Sequence, residues 1–475
     1  MTLSRPDFVW QSKIVLNSPH SKPAPHTDKI KAMTHWYRRV FLLAVPLILS
    51  NLTQPLLATV DTALSGHLPG AAALGGVALG GVFFDTIYWS FGFLRMSTTG
   101  LVAQAQGAGR HEELRLHFLR SLLLALLIGA MVLSLQGPLI ALTLQLLGAS
   151  PEAAANASLY CHIRIWSAPA ALANFAILGY LLGRQRAKLA LLLQAVINVV
   201  NVCVALFLVL HMHWGVAGIA TGTAIAEWIG CLLGLSLVER RMWAPVQWKS
   251  LTDRPKVKKL FALNRDILLR TVSLAAAYLW FARAGAHEGD AILAANAVLM
   301  NLHYIAAYGL DGFANATETL VGESIGAQRI ENYRAVLRAS WTWAVAVAAL
   351  VSLTYFVAGT WLVPLFTNVE AVRTLALRFL PWAVALPIIS VASFQLDGIF
   401  IGATRGRELR NAMIISFLFY LAAAIALQHW FGNNGLWCAF CGFMAARAIT
   451  LAVRLKRIEV LFPVTARFAR VDGWT

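Results

Sequence analysis

The chain has 475 residues, of which 59% are apolar and only 13% are charged. Soluble proteins carry about 25% charged residues, so this composition excludes an ordinary water-soluble fold. The formal net charge of +17 comes from short basic clusters between apolar runs, which is typical of membrane topology signals and not of nucleic-acid binding. We therefore predict an all-α integral membrane protein whose water-exposed parts are small.

Apolar runs separated by polar breaks predict twelve membrane-spanning helices. In the first half of the chain they lie near residues 40–66, 70–106, 113–146, 153–182, 187–211 and 214–238. In the second half they lie near residues 260–284, 289–326, 333–366, 370–402, 408–430 and 434–456. Several are long enough to tilt or kink, and the prolines expected to allow bending are Pro46, Pro55, Pro138 and Pro387.

The Lys and Arg content of the loops alternates along the chain. Basic clusters occur in the polar N-terminal tail 1–36, in the even-numbered loops and in the C-terminal tail 458–475. Lys and Arg are retained on the cytoplasmic side, so both termini are predicted to be cytoplasmic. The most basic loop, 239–259, is the predicted cytoplasmic linker between the two halves.

An internal repeat is found when the sequence is compared with itself at an offset of 219 positions. Segment 101–110 then matches segment 320–329, and Gly179 and Gly183 match Gly398 and Gly402. The repeat predicts two six-helix lobes, an N-lobe at 37–238 and a C-lobe at 260–457. Each lobe has an even number of helices and starts on the same side of the membrane, so we predict a parallel pseudo-twofold repeat about the membrane normal.

Parallel repeats of six helices are a common transporter design, because two bundles can rock about a site at their interface. No GxxxxGK phosphate-binding loop occurs, so an ion gradient, not ATP bound to this chain, is expected to supply the energy. The HxxxxD motif is absent too, and no intramembrane histidine has metal-ligand spacing to acids. We therefore predict neither enzymatic activity nor a cofactor or metal.

Ionisable side chains inside the predicted helices are few, and such groups are candidate functional residues. The acids are Asp61, Asp85, Glu227, Asp311, Glu318, Glu323 and Asp397, and the possible counter-charges are Arg95, Arg164, Arg270, Arg378 and Arg447. Glu323 and Asp397 lie near helix ends, where anchoring to basic loops is the expected role. Asp61 differs, because its helix is rich in small polar residues that a lipid-facing helix would not need.

Four segments resemble one transporter family. The run from Pro46 through Asp61 to Leu68 is similar to the opening motif of the multidrug and toxic compound extrusion (MATE) transporters. Segments 89–104, 311–322 and 396–405 resemble the DinF branch of that family. The similarity extends from about residue 36 to residue 457.

The resemblance implies two lobes in a V shape that export hydrophobic or cationic small molecules from a bacterial cell in exchange for H⁺ or Na⁺. The family's first-helix acid corresponds to Asp61, its pocket asparagine to Asn198 and its sixth-helix threonine to Thr223. Where archaeal relatives carry a second aspartate this chain has Val202, so a relay of two aspartates is not expected and H⁺ is favoured over Na⁺. Asn201 is expected to hydrogen-bond a neighbour of Asp61.

The leading hypothesis is proton-coupled efflux in which Asp61 alternates between a carboxylate and a neutral acid. The residues predicted around the substrate and proton pocket are Asn198, Asn201, Thr223, Asp85, Arg95 and Tyr88, with Asp311, Glu318 and Arg270 as polar candidates in the C-lobe. The protein would act as a monomer in the inner (cytoplasmic) membrane, with small molecules and the lipid bilayer, not nucleic acid, as its partners.

Two local interpretations have alternatives. Phe84, Tyr88 and Phe91 share one helix face, and they either line the pocket, where their rings would meet flat cations, or pack between helices. Arg95 either neutralises Asp61 or another acid of the N-lobe, or belongs to a structural hydrogen-bond network.

An alternative function keeps the fold and changes the cargo. Related V-shaped transporters flip lipid-linked precursors, and a cleft rich in arginine would favour such anionic amphiphiles. The arginines that leave this flippase hypothesis open are Arg95, Arg164, Arg270 and Arg378.

Overall fold

The computed structural model describes residues 26–68, 70–148 and 150–463, without the side chains of residues 26–32 and 54–58. In the first half of the chain the helices are α1 His26–Gly66, α2 Ala71–Ser90, α3 Phe93–Gly107, α4 His111–Ser134, α5 Gln136–Leu147, α6 Pro151–Arg164, α7 Ala168–Gly183, α8 Ala187–Leu210 and α9 Gly215–Leu237. In the second half they are α10 Trp248–Leu251, α11 Arg254–His287, α12 Asp290–Gly326, α13 Ile330–Leu362, α14 Glu370–Gly402, α15 Gly406–Phe431, α16 Asn433–Ala452 and α17 Lys456–Glu459. Within these ranges there is no β-strand.

Eleven helical segments of the described chain are long and apolar enough to cross a membrane. The prediction of an all-α membrane protein with many crossings is therefore confirmed. The 41-residue helix α1 precedes these eleven segments and is not one of them. Counting α1 as the first crossing gives the predicted twelve, and that count stays a prediction.

Three of the predicted helices are interrupted. The second breaks at Phe91 and Gly92 between α2 and α3, the third at Leu135 between α4 and α5, and the fourth at a 3-10 turn, Ile165–Ser167, between α6 and α7. Hydropathy does not reveal these breaks, because the apolar run continues through each of them. The backbone of α1 passes Pro46 without interruption, and the side chain of Pro55 lies outside the described residues.

Two helices begin earlier than their apolar runs. Helix α1 starts at His26, inside the predicted tail, and α11 starts at Arg254, inside the predicted linker. Pro255 occupies the first turn of α11, where the N–H that proline lacks would have no hydrogen-bond partner within the helix. The charged first turns can continue into water, so the end of an apolar run does not mark the end of the helix.

Backbone conformations repeat at the predicted offset of 219 positions. Left-handed residues, with positive φ, occur in matching loops of the two halves, and the matching pairs are Gly70 (88°) with Gly289 (111°), Gly109 (67°) with Gln328 (56°), Gln185 (59°) with Thr404 (53°), and His213 (57°) with Gly432 (53°). Most side chains avoid this conformation. Its recurrence at the same offset in four pairs of loops agrees with the predicted repeat, and the pseudo-twofold relation of the halves stays a prediction.

The two halves meet where α3 packs against α12, through reciprocal glycine contacts. A Cβ on Gly107 would lie 2.0 Å from the Glu323 carbonyl oxygen, and a Cβ on Gly326 would lie 1.9 Å from the Gln104 carbonyl oxygen. Gln104 and Glu323 are themselves repeat equivalents. Such an exchange of contacts is what a twofold relation between the halves requires, and only glycine permits so close an approach.

Hydrogen bonds between the halves are concentrated on the side of the basic loops. Arg39 pairs with Glu323 at 2.8 Å, and Gln104 Nε2 donates to the Gly402 carbonyl at 2.9 Å. Among the described residues of α1, the hydrogen bond to the other half that lies nearest the middle of the helix is made by Asn51. Its Nδ2 donates to the Tyr308 carbonyl of α12 at 3.3 Å. The molecule is therefore held shut on the predicted cytoplasmic side. Glu323 was expected to anchor to a basic loop, but its partner Arg39 lies within helix α1.

The carboxylate of Glu239 holds the start of the linker against the loop between α7 and α8. Arg184, Arg186 and Arg241 all form ion pairs with Glu239, at 2.6 Å in the case of Arg186. Burial alone would raise the pKa of the Glu239 carboxyl, but the hydrogen bonds and charges of these arginines hold that pKa below its usual value.

A Glu239→Gln variant is expected to be less stable than the wild type by about 1 kcal/mol at neutral pH. A carboxyl whose folded-state pKa is depressed contributes stability above its unfolded value, here 4.5, and loses it as the pH falls through the folded-state pKa. The difference between the two proteins in denaturant unfolding should therefore vanish in acid. A difference that is unchanged below pH 4.5 would contradict this role.

Candidate functional site

Asp61 lies in α1, five residues before the helix ends at Gly66. The residue is only 9% exposed, and its Oδ1 atom is buried without a hydrogen-bond partner. The hydrophobic cluster around it includes Leu64 of α1 and Phe84 of α2. A carboxyl group in such surroundings is costly to keep charged unless a cation or a proton compensates for the lost water.

Arg164 of α6 is the basic side chain whose charge acts on both Asp61 and Asp85. Its Nη1 donates a hydrogen bond to the Tyr160 hydroxyl at 2.8 Å, and its guanidinium carbon lies 4.4 Å from the centroid of the Phe84 ring. Among the described residues Arg164 forms no direct ion pair with either aspartate. Asp61 therefore has a cation close by, but none in contact with it.

Two glycines of α2 bring α6 into this position. A Cβ on Gly76 would lie 2.4 Å from Asn156 Cβ, and a Cβ on Gly80 would lie 2.3 Å from Tyr160 Cδ1. This spacing of four places both glycines on one face of α2 and lets α6 approach closely. Tyr160 and Arg164 are also four residues apart, so they share the α6 face that meets Phe84.

The aromatic side chains predicted for the pocket do not form an open surface. Phe84 is 1% exposed and contacts Tyr88 and Tyr160, with ring centroids 5.4 and 6.2 Å apart. Its ring face is occupied by the guanidinium of Arg164, so for Phe84 helix packing is the correct interpretation. Tyr88 is half-buried with its hydroxyl unpartnered, and Phe91 meets Phe93 edge to face.

The predicted amide and hydroxyl residues form a separate group on the predicted cytoplasmic side of Asp61. Asn201 Nδ2 donates to Thr223 Oγ1 at 2.8 Å, and both residues are buried. Asn198 Nδ2 donates to the Thr53 carbonyl at 3.4 Å, about two helical turns before Asp61. Asn198 and Asn201 therefore contact α1 and α9, but neither is hydrogen-bonded to Asp61.

Arg95 lies at the interface between the halves. Its Nη1 donates to Asn315 Oδ1 at 3.3 Å, and its charge acts on Asp311 and Glu318 of α12. Of the two alternatives for Arg95, the hydrogen bond to Asn315 fits a structural network, and neutralisation of Asp61 or another acid of the first half is wrong. The cause is the packing of α3 against α12, which directs this side chain to the second half.

The C-lobe candidates lie around a buried ionic cluster. Arg270 of α11 and Arg447 of α16 both donate to Oδ2 of Asp397, the latter at 2.7 Å. Asp311 is half-buried nearby, and Glu318 is buried with its Oε1 unpartnered. The expectation that Asp397 anchors to a basic loop is wrong, because its two partners come from transmembrane helices that enclose it.

An Asp397→Asn substitution should destabilise the protein by about 3–5 kcal/mol, because it leaves two buried guanidinium groups without a counter-charge. The matched control is Glu323→Gln, which removes the partly exposed pair with Arg39 and should cost about 1 kcal/mol at most. Denaturant unfolding in detergent micelles measures both. Equal losses for the two variants would contradict the structural role of Asp397.

Tyr160 and the two α2 glycines were not identified as site residues from the sequence. Arg164 was a candidate counter-charge, and the Tyr160–Arg164 spacing of four was the available signal. No group of three or more His, Cys, Asp or Glu side chains is arranged to hold a metal ion in the described part of the chain.

Comparisons with known proteins agree with the motifs. Residues 46–207 and 268–426 match the family model MatE. The chain is 40% identical to DNA damage-inducible protein F of Escherichia coli, over 91% of this chain and 93% of that protein. It is 25% identical to a probable multidrug resistance protein NorM of Xanthomonas campestris, over 93% and 98% of the two chains.

Solved structures share the fold. A multidrug resistance MATE family transporter of the MOP superfamily in an outward-facing conformation has a TM-score of 0.82 at 19% identity, covering 90% of this chain and 96% of that one. A MOP superfamily transporter from Pyrococcus furiosus, for which a binding pocket of reverse polarity is described, has the same TM-score, identity and coverage. The family match spans both halves, and the family is one of transporters, not of enzymes. The chain is therefore a multi-pass membrane protein that belongs to the MATE family of transporters and resembles its DinF branch.

Proposed function

We propose that this chain is a secondary active efflux transporter that exchanges H⁺ for hydrophobic or cationic compounds, with Asp61 as the protonation switch. The observation that carries the proposal is the buried Oδ1 of Asp61, which has no hydrogen-bond partner. A proton or a bound organic cation would compensate the charge of the same carboxyl group. Their binding is therefore mutually exclusive, which is the requirement for antiport.

Helix α1 is positioned to pass a change at Asp61 to both halves. The Thr53 carbonyl of α1 accepts a hydrogen bond from Asn198 of α8. Asn51 of α1 donates to the Tyr308 carbonyl of α12, and a Cβ on Gly312 of α12 would lie 2.2 Å from Ile48 Cγ1. A bend of α1 on protonation, near Pro46, would therefore disturb the contact between the halves.

Charge favours cationic substrates in the first half. Asp61, Asp85 and Glu227 share one nearby arginine, Arg164. Three acids against one base leave an excess of two negative charges when all are ionised. An organic cation entering between them would complete the neutralisation.

The flippase alternative has less support from the structure. Arg164 is engaged by Tyr160 and Phe84, Arg95 by Asn315 and Arg270 by Asp397. Arg378 is exposed and lies 5.8 Å from the neighbouring Phe379 ring. None of these arginines presents an unpaired guanidinium in a cleft between the halves, as an anionic headgroup would require.

The proposal also places the protein, as a monomer, in the bacterial inner membrane with both termini in the cytoplasm. It is tested by transport of a fluorescent lipophilic cation in proteoliposomes with an imposed pH gradient or an imposed Na⁺ gradient. We expect transport with the pH gradient and none with the Na⁺ gradient alone. Transport that ignores both gradients would exclude antiport.

A further inference from the structure

A cavity of about 290 Å³ opens at the predicted cytoplasmic end of the second half. Its lining residues are Arg407, Glu408 and Asn411 at the start of α15, and Arg454 and Arg457 where α16 gives way to α17. Three guanidinium groups thus face one small space together with one carboxylate. The cavity is far from Asp61, and the transport mechanism does not use it.

The basic side chains of this cavity are not neutralised by the protein. Within residues 26–68, 70–148 and 150–463, the side chains of Arg407 and Arg457 form neither a hydrogen bond nor an ion pair, and both residues are exposed. Arg454 Nη1 donates to the backbone carbonyl of Glu408 at 3.1 Å. The Glu408 carboxylate lies 3.7 Å from Arg405, an arginine that does not line the cavity. The donors that remain would suit the oxygens of a phosphate group.

The cavity borders a lipid-facing surface. On α15, the exposed apolar side chains Ile414, Ile415 and Leu418 follow Asn411 by three to seven residues. At 1.5 Å per residue they lie about 5–10 Å deeper in the membrane. At the end of α16, Ile449 and the following Val453 are exposed shortly before Arg454. A ligand at this site would place its charged group among the arginines and its apolar part along these side chains.

The arginine group is not repeated in the first half. Of its three arginines, only Arg407 has a basic repeat equivalent, Lys188. At the equivalents of Arg454 and Arg457, with the one-residue slip of the repeat after α15, the first half has Gly234 and Leu237.

We propose that this cavity binds the phosphate headgroup of an anionic phospholipid from the adjacent membrane leaflet. The charge of the three arginines recognises the headgroup, and the apolar column on α15 receives an acyl chain. The combination selects a lipid over a soluble phosphate, because only a lipid fills both parts. Each basic residue near an anionic membrane surface contributes about 1 kcal/mol to binding, so removing two should weaken binding by about thirtyfold.

The test is native mass spectrometry of the purified full-length protein titrated with phosphatidylglycerol, phosphatidylcholine or inorganic phosphate. The variant is Arg407→Gln/Arg457→Gln, which removes two unpaired, exposed arginines and should leave folding intact. The control is Arg240→Gln/Arg329→Gln, an equal change of charge at exposed arginines that do not line this cavity. Monodisperse elution of all three proteins verifies the fold.

We expect phosphatidylglycerol to bind the wild type and the control alike, and to bind the cavity variant about thirtyfold more weakly. Phosphatidylcholine should bind all three equally and weakly. Equal loss in the control would show non-specific charge attraction and overturn the proposal. Displacement of the lipid by millimolar inorganic phosphate would overturn the lipid as the ligand.

Discussion

Asp61→Asn is expected to reduce transport driven by a pH gradient to the level of liposomes without protein. Asparagine keeps the size and polarity of the side chain but cannot exchange a proton. The buried position of the carboxyl group and its unpartnered Oδ1 make it the group in the first half that most needs a proton or a cation. The measurement is uptake of a fluorescent lipophilic cation into proteoliposomes with an imposed pH gradient.

The matched control is Asp85→Asn. The charge of the same Arg164 acts on Asp85, but Asp85 is exposed, whereas Asp61 is buried with an unpartnered Oδ1. The Asp85→Asn variant should therefore weaken cation binding and keep part of its gradient-driven activity. Gradient-driven uptake by the Asp61→Asn protein would refute its role as the switch. Complete loss in the Asp85→Asn protein, with partial loss in the Asp61→Asn protein, would transfer that role to Asp85.

Gly326→Ala is expected to destabilise the protein by about 1–3 kcal/mol, the usual cost of overpacking a close interface. The new methyl group would lie 1.9 Å from the Gln104 carbonyl oxygen, and this backbone atom cannot rotate away as a side chain could. Helices α3 and α12 would have to separate, which loosens the contact that closes the predicted cytoplasmic side. Denaturant unfolding in detergent micelles measures the loss.

Two further variants sharpen this test. Gly81→Ala makes the same chemical change in α2, where a Cβ would have nothing within 4 Å, and it should be neutral or slightly stabilising. Gly107→Ala is the repeat equivalent, and its cost should not add to that of Gly326→Ala, because separating α3 from α12 relieves both clashes. Additive losses, or an equal loss in the Gly81→Ala protein, would contradict the shared interface.

The positions of the helices could be predicted from the sequence, because apolar runs and polar breaks are enforced by the bilayer itself. The run predicted at 370–402 coincides with α14. Left-handed loop residues also recur at the offset of 219 positions, as at Gln185 and Thr404, a backbone feature that the sequence comparison did not predict. The break at Gly92 could not be predicted, because hydropathy records the solvent around a segment and not its backbone angles.

The partners of the buried charges were predicted less well. Arg95 and Asp397 were identified as intramembrane charges, but their partners, Asn315 and the pair Arg270 and Arg447, lie on other helices. Helical periodicity predicts which face of a helix a residue occupies and not which helix packs against that face. Tyr160 was missed for the same reason, since its role depends on the close approach of α6 to Gly80.

Proton release on substrate binding tests the central claim most directly. A lipophilic cation is added to the purified protein in weakly buffered detergent solution, at a pH where Asp61 is protonated, and the released protons are counted against the bound cation. The account predicts about one proton released per cation bound by the wild type, and none from an Asp61→Asn protein that still binds the cation. Equal proton release from both proteins, or binding to the wild type without release, would contradict exchange at Asp61.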